Sequence, residues 1–297
     1  MTSRHKETYS GVGVRLDSIN VDDRVAAGFG DEWSRFDQST LSATTQAEMF
    51  ASYFANFPWS GLATGAVGAD FGCGSGRWAL RVAPRVGKLY CVDASPQALE
   101  VARRNLRGVE NCEFICASVG NMPIAPKSLD FGYSLGVLHH IPDTAAGLAS
   151  CVRTLKPGAP FLLYLYYRME NRPIWYRGLW SLTNALRGLI SRLPKFPRYV
   201  ASQMIASLVY WPLARAAGLA ASLGIENRNF PLSFYADKPF YVMRTDALDR
   251  FGTRLEHRFS RPQMDALMRA VGLTNVSFND QPPFWCAVGY RDTACAE

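Results

Sequence analysis

The chain has 297 residues, with 32 Lys and Arg against 25 Asp and Glu, a formal charge of +7, and 48% hydrophobic and 19% charged residues. This length and balance exclude a disordered chain and a small cross-linked scaffold, and leave room for one large domain or a domain with a sizeable insertion. The seven cysteines, scattered without a C-x-x-C pair, argue against a zinc site or a disulfide framework and for a reducing, cytoplasmic setting.

The polar residues 1–24 are expected to be loosely ordered, and they lack the charged-then-apolar pattern of a signal peptide. Aromatic residues at helical spacing between Phe29 and Phe36 predict a helix, and a second follows from Thr45 to Phe57. Val67 to Leu80 reads as strand, tight glycine loop and helix start, with the helix over 77–84. Further strands are expected at Lys88–Asp93, Cys112–Ala117, Ser128–Gly136 and Pro160–Tyr166. Between them lie helices from Pro96 to about Arg107, with Ser95 as N-cap, and from Asp143 to about Leu155. Alternating strand and helix imply a parallel sheet with helices on both faces and a ligand crevice at the strand C-termini.

Residues 168–235 interrupt this alternation. Trp175, Leu179, Leu182, Leu186, Leu189 and Leu193 recur every three or four residues, with Arg177, Arg187 and Arg192 on the opposite face, so the segment is an amphipathic helix. A second apolar helix, Tyr199 to Trp211, is expected to break at Pro212 and continue to Leu223. Its uncharged run ends at Arg215, short of the roughly 20 residues that span a bilayer. Residues 151–230 carry 11 Lys and Arg against 2 Asp and Glu. That basic surface suits an acidic small substrate, nucleic acid or an anionic lipid surface. Beyond Arg244, helices over Thr245–Phe251 and Ser260–Val271 precede two strands, Leu273–Phe278 and Phe284–Tyr290.

Two motifs carry chemistry. In the first, Asp70-Phe71-Gly72-Cys73-Gly74-Ser75-Gly76, glycines permit positive φ and close approach of a ligand to the backbone. Gly74, Gly76 and Ala79, with Asp93, also satisfy the dinucleotide fingerprint. Charge separates the two readings, since the Asp70 carboxylate repels a diphosphate and attracts a cation. The second motif is Val137-Leu138-His139-His140-Ile141-Pro142-Asp143. Together they resemble the class I S-adenosylmethionine-dependent methyltransferases, in the small-molecule, type 11-like branch. Named motifs carry the likeness over about 65–167, and pattern alone over 244–291.

The resemblance implies a Rossmann-like α/β fold with a seven-stranded sheet closed by an antiparallel pair. It divides the chain into an N-terminal helical segment over the cofactor (1–64), the cofactor-binding core (65–167), a helical lid over the acceptor (168–243) and the end of the sheet (244–297). It also implies S-adenosylmethionine as cofactor, leaving as S-adenosylhomocysteine. Asp70, Gly72, Cys73, Gly74, Gly76, Asp93, Ala94, Ser118, Val119 and Leu135 would bind it, Ser118 at the adenine amino group, with Trp33, or else Phe36, from the N-terminal helix. Ser118 stands where many relatives carry Asp. His139, ahead of His140, is the candidate base. Tyr166, Arg168, Tyr235, Tyr241 and Arg244 suit a polar or anionic acceptor. No metal is expected, nucleic acid is not the expected partner, and the basic insertion leaves peripheral membrane contact open. A lipophilic acceptor, such as a quinone or lipid, and a non-catalytic cofactor-binding protein are the alternatives.

Overall fold

The computed structural model describes residues 20–226 and 229–293. Residues 1–19 and Cys295, which entered the sequence reading, lie outside the described residues. The chain divides into two compact units, one reaching Arg168 and resuming at Leu255, the other made of Met169–Arg254.

The first unit holds β1 (Val67–Phe71), β2 (Lys88–Asp93), β3 (Cys112–Cys116), β4 (Phe131–Leu135), β5 (Pro160–Tyr164), β6 (Leu273–Phe278) and β7 (Cys286–Arg291). They form one sheet in the order β3-β2-β1-β4-β5-β7-β6. β1 to β5 run parallel, and β7 is antiparallel to both β5 and β6. The antiparallel closure expected of residues 273–290 is therefore present. All five residues of β4 are buried, as fits a central strand covered on both faces. The chain leaves β1 toward β2 and β3 and then returns to β4 on the other side. The loops after β1 and β4 thus flank the topological switch point, where ligands of such sheets bind.

Around the sheet lie α1 (Asp23–Arg35), α2 (Ala43–Tyr53), α3 (Ala79–Val82), α4 (Pro96–Asn105), α5 (Thr144–Thr154) and, from the second part of the chain, α10 (Arg261–Ala270). Ser95 caps α4 through its Oγ, which accepts from the Ala98 amide, with Pro96 at the first helical position. Helix α3 is much shorter than the expected 77–84 and passes into a 3₁₀ turn at Ala83–Arg85. Pro84 has no N–H to donate back to Leu80, so the α-helical ladder stops there. α1 packs on α4 across Gly30, where a Cβ would collide with Gln97 and Ser95.

The segment bounding the second unit is stitched together within the first. Phe259 donates to Tyr166 O at 2.9 Å, and Arg168 donates to Phe259 O at 3.0 Å, which makes an isolated parallel bridge between Tyr167 and Phe259.

The second unit contains α6 (Ile174–Ile190), α7 (Lys195–Ile205), α8 (Trp211–Ser222) and α9 (Phe240–Gly252). Its core sets Ile190, Ala206, Tyr210 and Ala214 with Met243, Ala247 and Phe251. Contrary to the expected break at Pro212, Lys195–Ser222 is one continuous helix. Residues Ala206–Tyr210 widen into a π-turn just before the proline, with the Trp211 amide reaching Ala206 O, which accommodates the missing N–H and the ring. The helix of 28 residues is thereby long and apolar enough to cross a membrane by length and composition, which the uncharged run alone was not.

Helix α6 is amphipathic as read, and its apolar stripe is the exposed one. Trp175, Leu179, Leu182, Leu186, Leu189 and Leu193 all face outward. Of the three arginines expected opposite it, Arg187 packs into the unit, bonding Asn184 Oδ1 at 2.9 Å and Thr253 O at 2.7 Å, whereas Arg177 and Arg192 are exposed.

Candidate active site

The loop after β1 is held to the sheet by backbone bonds and one carboxylate. Gly72 and Cys73 both donate to Val92 O, at 2.8 and 2.9 Å. Asp93, the last residue of β2, accepts from Gly74 N through Oδ2 at 2.9 Å and from Ser95 N through Oδ1 at 2.8 Å. It therefore couples the loops that follow β1 and β2, and its remaining lone pairs can still accept from a vicinal diol.

Gly72 and Gly74 have φ of +86° and +54°, in the left-handed region that L side chains avoid. A Cβ on Gly72 would collide with Val137, and one on Gly74 would sit 2.8 Å from the Trp33 indole. Trp33 thus lies on the glycine loop, with the Arg77 guanidinium 5.5 Å from its ring, whereas Phe36 is a core residue. Gly74→Val is expected to displace Trp33 and lower stability by about 1–2 kcal/mol for the left-handed strain alone. Trp33→Ala in the same chain should recover only the steric part. Denaturant titration of the three variants measures the split, and an unstrained single variant would refute this account of the loop.

Asp70 is 1% exposed, and neither carboxylate oxygen has a hydrogen-bond partner of good geometry. Burial pushes its pKa up to about 8, against the Tyr133 hydroxyl beside it, and the Asp93 charge adds to the rise while Arg77 opposes it. The Ser75 hydroxyl, also buried, lacks a partner. One buried and one half-buried acid at a glycine loop fit a cationic ligand and disfavour a diphosphate. Cys73 is buried; against a contact with Cys91 that pulls its pKa down, burial holds the thiol up at about 11. Ala94 links Asp93 to the α4 cap. Ser118 closes a turn by accepting from Gly120 N at 3.0 Å. Val119 is a core residue packed in the cluster that holds Leu138 and Ile141, and Leu135 is buried at the end of β4.

After β4, Leu138–His140 makes one 3₁₀ turn, and Asp143 caps α5 by accepting from Ala146 N at 2.9 Å. His139 is wholly buried, with no hydrogen-bond partner at either ring nitrogen. Its ring lies 3.9 Å from that of Tyr166 and 4.0 Å from that of His140. Burial, with the His140, Arg258 and His257 charges behind it, holds its pKa well below the usual imidazole value. The ring is therefore neutral near pH 7 and has a lone pair to offer. His140 Nδ1 lies 2.8 Å from Leu255 O. A carbonyl only accepts, so that nitrogen carries the hydrogen.

Three residues absent from the sequence reading complete this side. Arg258 pairs with Glu256 at 2.7 Å, donates to Tyr167 O at 3.1 Å and stands 5.1 Å over the Tyr166 ring. The His257 amide donates to His139 O at 2.8 Å. The only sequence signal was a Glu-His-Arg run in a stretch without helical or strand period.

Of the candidate acceptor residues, Tyr166 joins the histidines, and Arg168 lies in the same unit, donating to Gln263 Oε1 at 3.4 Å. Tyr235, Tyr241 and Arg244 belong to the second unit. There Arg244 is engaged with Gln203 Oε1 at 2.6 Å and the Tyr199 hydroxyl at 3.0 Å, and Tyr235 packs on Tyr210 and Phe234. Among the described residues no group of three His, Cys, Asp or Glu is placed to hold a metal ion.

Residues 69–163 match the family model described as a methyltransferase domain. The uncharacterised methyltransferase YcgJ of Bacillus subtilis (strain 168) is 29% identical over 167 residues, covering 56% of this chain and 61% of that protein. A 2-phytyl-1,4-naphtoquinone methyltransferase of Trichormus variabilis is 30% identical over 144 residues, covering 46% and 62%. A ubiquinone biosynthesis O-methyltransferase of Idiomarina loihiensis is 29% identical over 121 residues, covering 39% and 48%. The chain thus spans about half to three-fifths of the length of these relatives.

Proposed function

We propose, from the premise that residues 69–163 match a methyltransferase domain, that the protein is a class I S-adenosylmethionine-dependent enzyme moving a methyl group from that cofactor to a small-molecule acceptor. The observation that carries the reading is the glycine cradle, bounded by Asp93 and the buried, unpartnered Asp70 carboxyl. S-adenosylmethionine supplies an electrophilic methyl on a sulfonium when bound. The tight loop of Gly72, Gly74 and Gly76 would lie against it, Asp93 would accept from its hydroxyls, and Asp70 would face positive charge.

What remains for the chain is alignment and exclusion of water, which can account for about 7–11 kcal/mol of a barrier. His139 is dry, neutral and unpaired, so it would accept the proton, or the hydrogen bond, of an acceptor that must lose one. Tyr166 and Arg258 hold that ring in place. A lipophilic acceptor is the second reading, favoured by the likeness to a 2-phytyl-1,4-naphtoquinone methyltransferase and a ubiquinone biosynthesis O-methyltransferase.

Incubation of the purified protein with methyl-labelled S-adenosylmethionine and cell extract tests the activity. Label in the aqueous small-molecule fraction supports a polar acceptor, and label in the organic phase supports the lipophilic one. Cofactor binding without transfer to any fraction would leave a non-catalytic binding protein. His139→Ala is expected to lower turnover by about 10²–10⁴-fold with cofactor affinity retained. Unchanged turnover would remove His139 from the chemistry without touching the rest.

A further inference from the structure

All seventeen exposed large apolar side chains among the described residues lie between Ile174 and Phe234, in the second unit. Seven of them follow one another along α6 and into the connection beyond it, and Leu182 and Leu189 are each 70% exposed. A run of large apolar side chains left this open to water marks an interaction surface. The face is also of one charge. Between Glu170 and Glu226 the sequence has seven Lys and Arg and no acid, and Arg192 and Lys195 are exposed where the stripe ends.

We propose that the helical unit docks on an anionic lipid bilayer, with the outward stripe of α6 in the headgroup–acyl boundary and the flanking basic residues against lipid phosphates. Charge complementarity selects this occupant. A second copy meeting the same face about a two-fold axis would set basic residues against basic residues, whereas an apolar stripe with a Lys/Arg border and Trp residues suits the bilayer interface.

The mode is surface attachment and not a span. Although Lys195–Ser222 is long enough to cross, its inner face packs on α9 through Ala206, Tyr210 and Ala214. Arg215 bonds Ala236 O and Lys238 O, both at 3.0 Å. A span would strand these groups in lipid. The proposal does not rest on the methyl-transfer reading, and its test makes no use of activity.

The test is flotation of the purified full chain with vesicles of phosphatidylcholine, with and without phosphatidylglycerol. Wild-type protein is expected to float with the anionic vesicles, more weakly at high salt, and to be released by alkaline carbonate. Leu182→Glu with Leu189→Glu should weaken binding about a hundredfold. Neutralising Arg192 or Lys195 singly to Gln should weaken it about fivefold each. Both changes lie on the surface, and an unaltered melting temperature with unaltered cofactor affinity verifies the fold. Protein that stays unbound with both vesicle types overturns the proposal. So does resistance to carbonate, or a wild-type dimer by sedimentation velocity that the double variant converts to monomer while vesicle binding is absent.

Discussion

Asp70→Asn is expected to stabilise the ligand-free protein at pH 8 by about 3 kcal/mol or more, roughly 6–12 °C in melting temperature. In the folded chain the Asp70 carboxyl keeps its proton up to about pH 8, whereas unfolded it ionises near 3.8. The folded state therefore binds more protons across that window, and stability falls as pH rises through it. Between pH 5 and pH 8 the wild type should lose about 4 kcal/mol from this group, and the variant should lose none of that share. His139 acts with the opposite sign. Its folded pKa lies well below 6.5, so the unfolded chain takes the proton first, and its contribution is lost as pH falls below 6.5. Calorimetric scans from pH 5 to 8 on both proteins separate the two groups. An equal pH slope in wild type and variant would sink the claim that Asp70 is buried protonated. Under the proposed function the same substitution should weaken cofactor binding, because an amide offers a cation no charge. Better folding with poorer binding is the signature of a group kept for its ligand.

The second large effect is expected at Glu256. Its carboxylate is 1% exposed and pairs with an Arg258 guanidinium that is 11% exposed. Glu256→Ala leaves that cation without its acid in a desolvated place, at a cost of about 3–5 kcal/mol. Replacing both partners by apolar residues of similar volume, Glu256→Leu with Arg258→Met, should recover most of the loss. Chemical denaturation of wild type, both single variants and the double variant measures the coupling. A double variant no better than Glu256→Ala would show that the pair is not the unit of stability. Because Arg258 stands over Tyr166, which lies on His139, the apolar pair should also slow turnover while leaving cofactor affinity in place.

What the sequence made legible follows from how local each feature is. The glycine loop lies within seven consecutive residues, and Asp93 ends the next strand. One βαβ unit thus holds the main candidate cofactor residues, and its spacing can be read without knowing the fold. Trp33 was legible only as an aromatic on a helix; its place on Gly74 depends on α1 packing across Gly30. Glu256, His257 and Arg258 reach His139 from more than a hundred residues away, where no periodic pattern marks them. The α6 stripe is instructive in another way. A period of three and four residues establishes that a helix has two faces, but it does not say which face meets protein, and here the side of Asn184 and Arg187 does. At Pro212 the rule that proline ends a helix was overridden by a π-turn, whose Ala206 and Tyr210 pack on α9.

The bridge between Tyr167 and Phe259 bears on how this architecture tolerates change. Because the two strands of chain bounding the second unit are fastened to each other inside the first, everything between them is a single excursion from one anchored point. The closure entropy of such an excursion grows only with the logarithm of its length, about 0.6 kcal/mol per doubling. The junction is accordingly a splice site. Sequences of very different size can be exchanged there by recombination, or swapped by an engineer between related chains, with little demand on the sheet that carries the chemistry.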